Sequence, residues 1–311
     1  RAIMAAYPPG STFKPTQGLI FRQEGIVTES TAYPCARGYY NGGLHVGCHS
    51  HESPITLKPA IRTSCNAYFC WGLKNMIDRR SKYGSCSNAF EIWKNYMVEM
   101  GYGYKLGVDL PSESRGFIPN SKFYNKIYGE NRWSANTIIS IAIGQGEILA
   151  TPLQIANLAA TIANRGYYIT PHVVKEIADT VIDKKYKERH YPKINREYYE
   201  EIAEGMRMAV TGGTCRVAQF GDVEVCGKTG TAQNPHGRDH SAFMGFAPLN
   251  NPKIAICVYV ENGGWGATYG VPIGSLMMEM YLNGEISPQR KYLEERMLNS
   301  NTILYSGVKK H

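Results

Sequence analysis

A chain of 311 residues, 43% hydrophobic and 19% charged, has the composition of a globular protein with a sizeable core, which excludes a disordered or fibrous chain. No apolar run reaches the roughly 18 residues needed to cross a bilayer. The net charge of +8 resides partly in Arg79-Arg80-Ser81-Lys82 and Lys184-Lys185-Tyr186-Lys187, short runs in polar surroundings that make no nucleic-acid module, so no nucleic-acid partner is expected.

In chain order, Tyr7-Pro8-Pro9-Gly10 reads as a rigid turn feeding a helix from Ser11 to about Glu24. A Gly- and Cys-rich loop spans roughly 31–53. Helices follow over 57–63, 67–78 and 90–100, and residues 107–134 read as irregular, punctuated by Pro111, Gly116 and Pro119. Thr151-Pro152 opens a helix running to Asn164. A strand is expected over 167–177 and a helix over 197–210. Three strands come next, over 223–231, 241–247 and 253–260, the last two joined at Asn250-Asn251-Pro252. A loop at Gly263-Gly264-Trp265-Gly266 leads to a helix over 271–281. Helices first and consecutive strands later predict an α+β fold with an antiparallel sheet. The helical part covers roughly 11–165 and the sheet part roughly 166–285, with C-terminal helices, all in one domain.

Three short motifs fall into this frame: Ser11-Thr12-Phe13-Lys14, Ser64-Cys65-Asn66 and Lys228-Thr229-Gly230-Thr231. None is specific alone. A second S-x-x-K occurs at Ser306–Lys309 and a second S-x-N at Ser134–Asn136. Order and local context single out the first set, and its chemistry is that of acyl transfer. A serine hydroxyl needs a neighbouring base, and Ser11 and Lys14 share a helix face. Lys14 acts as a base only if its pKa is lowered, by burial and by a second cation such as Lys228. Ser64 is expected to relay protons and Asn66 to hold a substrate amide. The third motif reads as a strand along which a peptide substrate can pair its backbone, with Gly230 leaving room. Lys228, Thr229 and Thr231 are expected to hold a carboxylate, and the Thr231 N–H to complete an oxyanion hole.

On these motifs the chain resembles the transpeptidase domain of class B penicillin-binding proteins of the elongation type, known as penicillin-binding protein 2. The resemblance extends to Tyr7–Pro15, to Ile143-Gly144-Gln145-Gly146-Glu147 with Thr151-Pro152-Leu153-Gln154, and to Gly227–Gly237. It implies the penicillin-binding protein and serine β-lactamase fold, a mainly antiparallel central sheet flanked by helices plus an all-helical subdomain. It also implies D,D-transpeptidation through a Ser11 acyl-enzyme without a catalytic cofactor, peptidoglycan stem peptides as substrates and β-lactams as inhibitors. The implied partner is a membrane glycan polymerase of the elongation machinery, and the implied location is the periplasmic side of the bacterial inner membrane. In the family a longer segment precedes the nucleophile than the ten residues found here, so the chain is expected to be a fragment that lacks its anchor, its pedestal and some sheet strands. A serine β-lactamase, a D,D-carboxypeptidase and a β-lactam sensor domain share the motifs; Glu147 is among the candidates for a hydrolytic glutamate.

Cys35, Cys48, His51 and Cys65 form C-x12-C-x2-H-x13-C, spacing compatible with a Cys3His zinc site. A Cys35–Cys48 disulfide or free thiols fit the same residues. The resemblance favours a structural zinc, because some elongation-type relatives bind zinc through the residue inside S-x-N, here Cys65. His45 and His49 are alternative ligands. Cys215 and Cys226 are close enough in sequence to pair, and His236 and His240 are candidates to touch substrate.

Overall fold

The computed structural model describes residues 1–301, which places the second S-x-x-K at Ser306–Lys309 outside the described residues. A single turn of 3₁₀ helix, Gly10–Phe13, runs into α1 (Lys14–Gln23), followed by a hairpin of β1 (Gly38–Asn41) and β2 (Leu44–Gly47). Helices α2 (Leu57–Thr63), α3 (Asn66–Ile77), α4 (Arg80–Tyr83), α5 (Cys86–Glu99) and α6 (Ser121–Tyr128) build the helical part. Then come a 3₁₀ segment over Ala135–Ile143 and α7 (Pro152–Ala163). A minimal pair, β3 (Tyr168–Ile169) and β4 (Arg189–His190), precedes α8 (Arg196–Gly212). Strands β5 (Cys226–Ala232), β6 (His240–Ala247) and β7 (Ile254–Val260) form an antiparallel sheet in the order β5-β6-β7, and α9 (Gly270–Asn283) and α10 (Lys291–Leu298) close the described chain. Among the described residues no helix is long and apolar enough to cross a membrane.

Strand alternation sorts the sheet's side chains into two cores. Cys226, Met244 and Phe246 join the large helical core. Phe243 points the other way, into a smaller core with Val271 and Met278 of α9. That large core also fixes α1, whose buried Gln17 is engaged at both ends of its amide: it accepts from Trp93 Nε1 at 2.8 Å and donates to Ile141 O at 3.0 Å. An unpaired amide there would cost about 1–3 kcal/mol, so this pair of bonds sets the height of α1 against its neighbours. Helix α7 begins where Thr151 and Gln154 cap each other reciprocally, with Pro152 at the first turn.

Beyond shifts of a few residues at element ends, such as β5 beginning at Cys226 and α5 at Cys86, the structure departs from the sequence reading in three places. The 31–53 loop contains the β1–β2 hairpin, turned by Gly42 and Gly43 at φ of 57° and 82°, the pairing that a two-residue hairpin turn requires. Residues 107–134 are not wholly irregular, because Asn120 caps α6 by accepting from Phe123 N at 2.8 Å. The strand expected over 167–177 stops after two residues. Pro171 has no N–H to give a ladder, and the Val173 and Val174 amides are taken by the Asp109 carboxylate at 2.8 to 3.0 Å.

Candidate active site

Gly10 decides where Ser11 stands. At φ of 55° it adopts the left-handed backbone that the sharp entry into the 3₁₀ turn requires, and its N–H donates to Gly144 O at 2.9 Å. A Cβ built there would sit 2.7 Å from Thr231 O, so the Ser11 turn lies directly against β5. The expected opening above Gly230 is filled by the protein itself. A Cβ on Gly230 would meet Thr12 Cγ2 at 2.9 Å and Pro9 O at 3.2 Å, so its bareness serves this packing rather than substrate entry.

Lys14 begins α1 wholly buried. Its Nζ donates to Ser64 O at 2.6 Å, to Asn66 Oδ1 at 2.6 Å and to Ser64 Oγ at 3.2 Å. Lys228, equally buried on β5, donates to the same Ser64 Oγ at 2.8 Å and to Thr229 O at 3.0 Å. Ser64 thus stands between two lysines, held by a left-handed backbone (φ 58°) at the end of α2, a conformation that a non-glycine residue pays for in strain. Burial pulls Lys14 down to about 8, against the opposing pull of the Cys48 and Cys65 sulfurs. Burial first, then repulsion from Lys14, pulls Lys228 down to about 7. The repulsion between two ammoniums is mutual, so burial and the second cation act together on this pair.

Asn66 is committed at both ends of its amide, since its Nδ2 donates to Gly47 O at 2.7 Å while its Oδ1 serves Lys14. A cleft of about 530 Å³ opens above these groups, lined by Ser11, Ser64, Asn66, Thr229 and Thr231 of the expected set. Thr229 donates to Thr214 Oγ1 at 2.9 Å, and Gln145 Nε2 reaches Thr231 O at 3.3 Å. Thr214, His49, Asp239 and Trp265 line the same cleft and went unassigned in the sequence as lining residues. His236 and His240 do not line it; the His240 ring lies against Tyr7 and Tyr259 and accepts from Asn262 N at 3.0 Å. Glu147 is absent from the lining and accepts from Tyr124 at 2.9 Å.

Beside Asn66, the ligand atoms of Cys35, Cys48, His51 and Cys65 all lie within 4.8 Å of one another. Tetrahedral zinc with bonds of about 2.0–2.3 Å sets its ligands roughly 3.5–3.8 Å apart, so a set no wider than 4.8 Å needs to close by at most about 1 Å to hold such an ion. His51 Nδ1 is engaged by Glu52 O at 2.7 Å, which turns Nε2 toward Cys48 Sγ at 3.5 Å. A hydrogen bond from the Cys65 thiol, aided by the Asn66 N–H, holds Cys48 down at about 4, and the same contact raises Cys65. All eight cysteines are free, so neither Cys35–Cys48 nor Cys215–Cys226 is a disulfide. Cys226 points into the large core and Cys215 into the smaller one, which separates that second pair across the sheet. His45 stacks on Tyr40 and His49 packs against Trp265, outside the cluster.

Residues 1–279 match the family described as the penicillin binding protein transpeptidase domain. Among curated proteins, the peptidoglycan D,D-transpeptidase MrdA of Acinetobacter baumannii is 33% identical over 86% of this chain and 41% of its own length. Among solved structures, Pseudomonas aeruginosa PBP2 in complex with WCK 5153 is 29% identical with a TM-score of 0.78, covering 93% of this chain and 62% of that one. A peptidoglycan synthase complex described as coordinating polymerization and crosslinking contains a chain 29% identical with a TM-score of 0.76, covering 92% of this chain and 48% of that one. The chain spans less than half the length of the curated relative it matches. The α+β architecture expected from the sequence is thereby borne out. Because the match spans residues 1–279, from before the Ser11 turn through β5 and into α9, the chain belongs to the penicillin-binding protein transpeptidase domain family.

Proposed function

We propose that the chain carries peptidoglycan D,D-transpeptidase activity, with Ser11, Lys14, Ser64, Asn66 and Lys228 as its reacting set. The supporting observation is the Ser64 hydroxyl, which receives hydrogen bonds from both buried lysines at the floor of the cleft that Ser11 lines. A stem peptide lies antiparallel along the free edge of β5, its terminal carboxylate toward Lys228, Thr229 and Thr231, with Gly230 contributing backbone. Neutral Lys14 takes the Ser11 proton while Oγ attacks the carbonyl between the two terminal D-alanines. The oxyanion is held by backbone N–H groups, Thr231 among them. The proton then passes through Ser64 to the leaving nitrogen, D-alanine departs, and an amine of a second stem attacks the ester to restore Ser11 and form the cross-link. A β-lactam follows the first half and remains on Ser11.

Incubation with a fluorescent penicillin tests this reading. The label is expected on the Ser11 peptide and stable over hours; release within minutes means hydrolysis, hence a β-lactamase. Among the described residues the cleft lining contains no glutamate to position such a water, which favours the stable adduct. Acylation also carries a pH signature. The lysine pair sheds a proton between about 7 and 8 rather than near 10.5, so the labelling rate rises with pH across that window. A flat profile from pH 6 to 9 defeats the role given to Lys14.

Cys35, Cys48, His51 and Cys65 are proposed to hold a structural zinc. Bound there, the ion ties the end of the β1–β2 hairpin to the α2–α3 turn that carries Ser64 and Asn66. Protein purified without chelator is expected to contain close to one zinc per chain, and less than about half an equivalent removes the proposal. The setting that follows from the family is the periplasmic face of the bacterial inner membrane. There the partner is a membrane glycan polymerase, in keeping with a relative found in a synthase complex that polymerises and cross-links.

A further inference from the structure

The cleft is polarised. Two lysines lie under its Ser64 end, whereas Asp239 is the single carboxylate among the described residues that line it. Lys228 pairs with Met244, and Ala232 pairs with His240 at the other end of the ladder. Asp239 lies one residue beyond that last pair, opposite Gln233, so at about 3.3 Å per residue its backbone stands roughly 16 Å along β5 from Lys228.

The surroundings of Asp239 suit a cation. Its Oδ1 accepts a long bond from Asn234 N at 3.3 Å, and its Oδ2 accepts none from the described residues. Its backbone O accepts from Gly264 N at 2.7 Å, which fastens the 233–239 loop to the loop carrying Trp265. Ser241 Oγ donates to Trp265 O at 2.7 Å, and the indole packs against His49, with ring centres 5.2 Å apart. Yet Trp265 remains 60% exposed while lining the cleft. An open indole and an underused carboxylate lining one groove attract an ammonium by cation–π contact and by charge.

We propose that Asp239 and Trp265 form a subsite for an ammonium-bearing side chain of the stem peptide. The inference rests on the transpeptidase reading. A donor whose carboxylate is held near Lys228 extends upstream toward Gln233. The residue before its two terminal alanines lies about 7 Å along, and a lysine-like side chain leaning along the groove adds roughly 6 Å, leaving a gap of about 3 Å that the Asp239 side chain itself spans. The same chemistry is offered by the side chain of an acceptor stem, and the experiment separates the two sources.

Two donor thioesters are compared that differ only in a free or acetylated side-chain amine at the residue before the reacting D-alanine pair. The wild-type chain is expected to favour the free amine by about 10-fold or more in kcat/KM, and less so at high salt. D239N and W265L reduce that ratio to about 3-fold or below, and D239E restores it. If the donors react alike, the donor is held fixed and acceptors with a free or acetylated second amine are compared; an Asp239-dependent preference there assigns the subsite to the acceptor. No Asp239-dependent preference in either arm overturns the proposal. Calorimetric binding of an unreactive stem peptide, free or acetylated, reads the subsite without chemistry. Failure of penicillin to label the wild type therefore defeats the transpeptidase reading, whereas equal binding of the two peptides defeats the subsite.

Discussion

Ser11→Ala is expected to abolish covalent labelling by a fluorescent penicillin, and Lys14→Met to slow it by about 10³-fold, within the range for loss of a positioned general base. The two substitutions separate nucleophile from base: one removes the atom that is acylated, the other leaves it in place without a proton acceptor. Methionine retains most of the buried stem of Lys14, so the change is one of chemistry more than of packing. Its effect on stability points the other way. The folded state lowers Lys14 from 10.5 to about 8, so between those values the unfolded chain binds more protons and stability rises with pH. Below about pH 8 the folded protein bears the full cost of a buried ammonium. Lys14→Met removes that cost, and a melting temperature at neutral pH equal to or above the wild type is the expected companion of the lost rate. Labelling above about a tenth of the wild-type rate would remove Lys14 from the mechanism. Ser306→Ala, in the other S-x-x-K, is expected to leave the labelling rate unchanged.

Gly10→Ala is expected to separate position from chemistry, because it changes no reacting group. The new methyl must occupy a left-handed backbone and also clear Thr231 O, which lies 2.7 Å from the ideal Cβ. The backbone term costs about 1–2 kcal/mol in folding, and the contact with main chain cannot be relieved by a rotamer. Relief comes from moving the Ser11 turn away from β5. A displacement near 1 Å between the nucleophile and the strand that aligns the substrate costs roughly 10²-fold in acylation. Penicillin labelling and thermal melting of the same preparation check both effects. A variant that melts lower but acylates at the wild-type rate rules out the contact as the alignment device.

The proposed reacting set was legible in the sequence because each member is declared by side-chain type within a short local pattern. The turn before Ser11, the helix over 57–63 and the Thr151-Pro152 helix start are all local signals, and local signals survive folding. Long-range assembly is another matter. Thr214, His49, Asp239 and Trp265 become neighbours only when the hairpin, the segment after α8 and two loops converge on one cleft, and no spacing rule encodes that meeting. The two-residue limit on β3 had its warning in Pro171, but the apolar residues after it read as strand until Asp109 was seen to take their amides. The cysteine cluster falls between these cases. Its members were named from spacing, whereas their approach within 4.8 Å depends on a hairpin whose Gly42-Gly43 turn was passed over.

Strand β5 has a neighbour on one side only among the described residues, and its other margin faces the cleft. On the proposed reading the natural peptide and any drug shaped like it grip main-chain atoms there, which no codon change can delete. Resistant forms of this target must then arise beside that margin, by reshaping the walls that admit an inhibitor, while the bonding ledge itself stays intact.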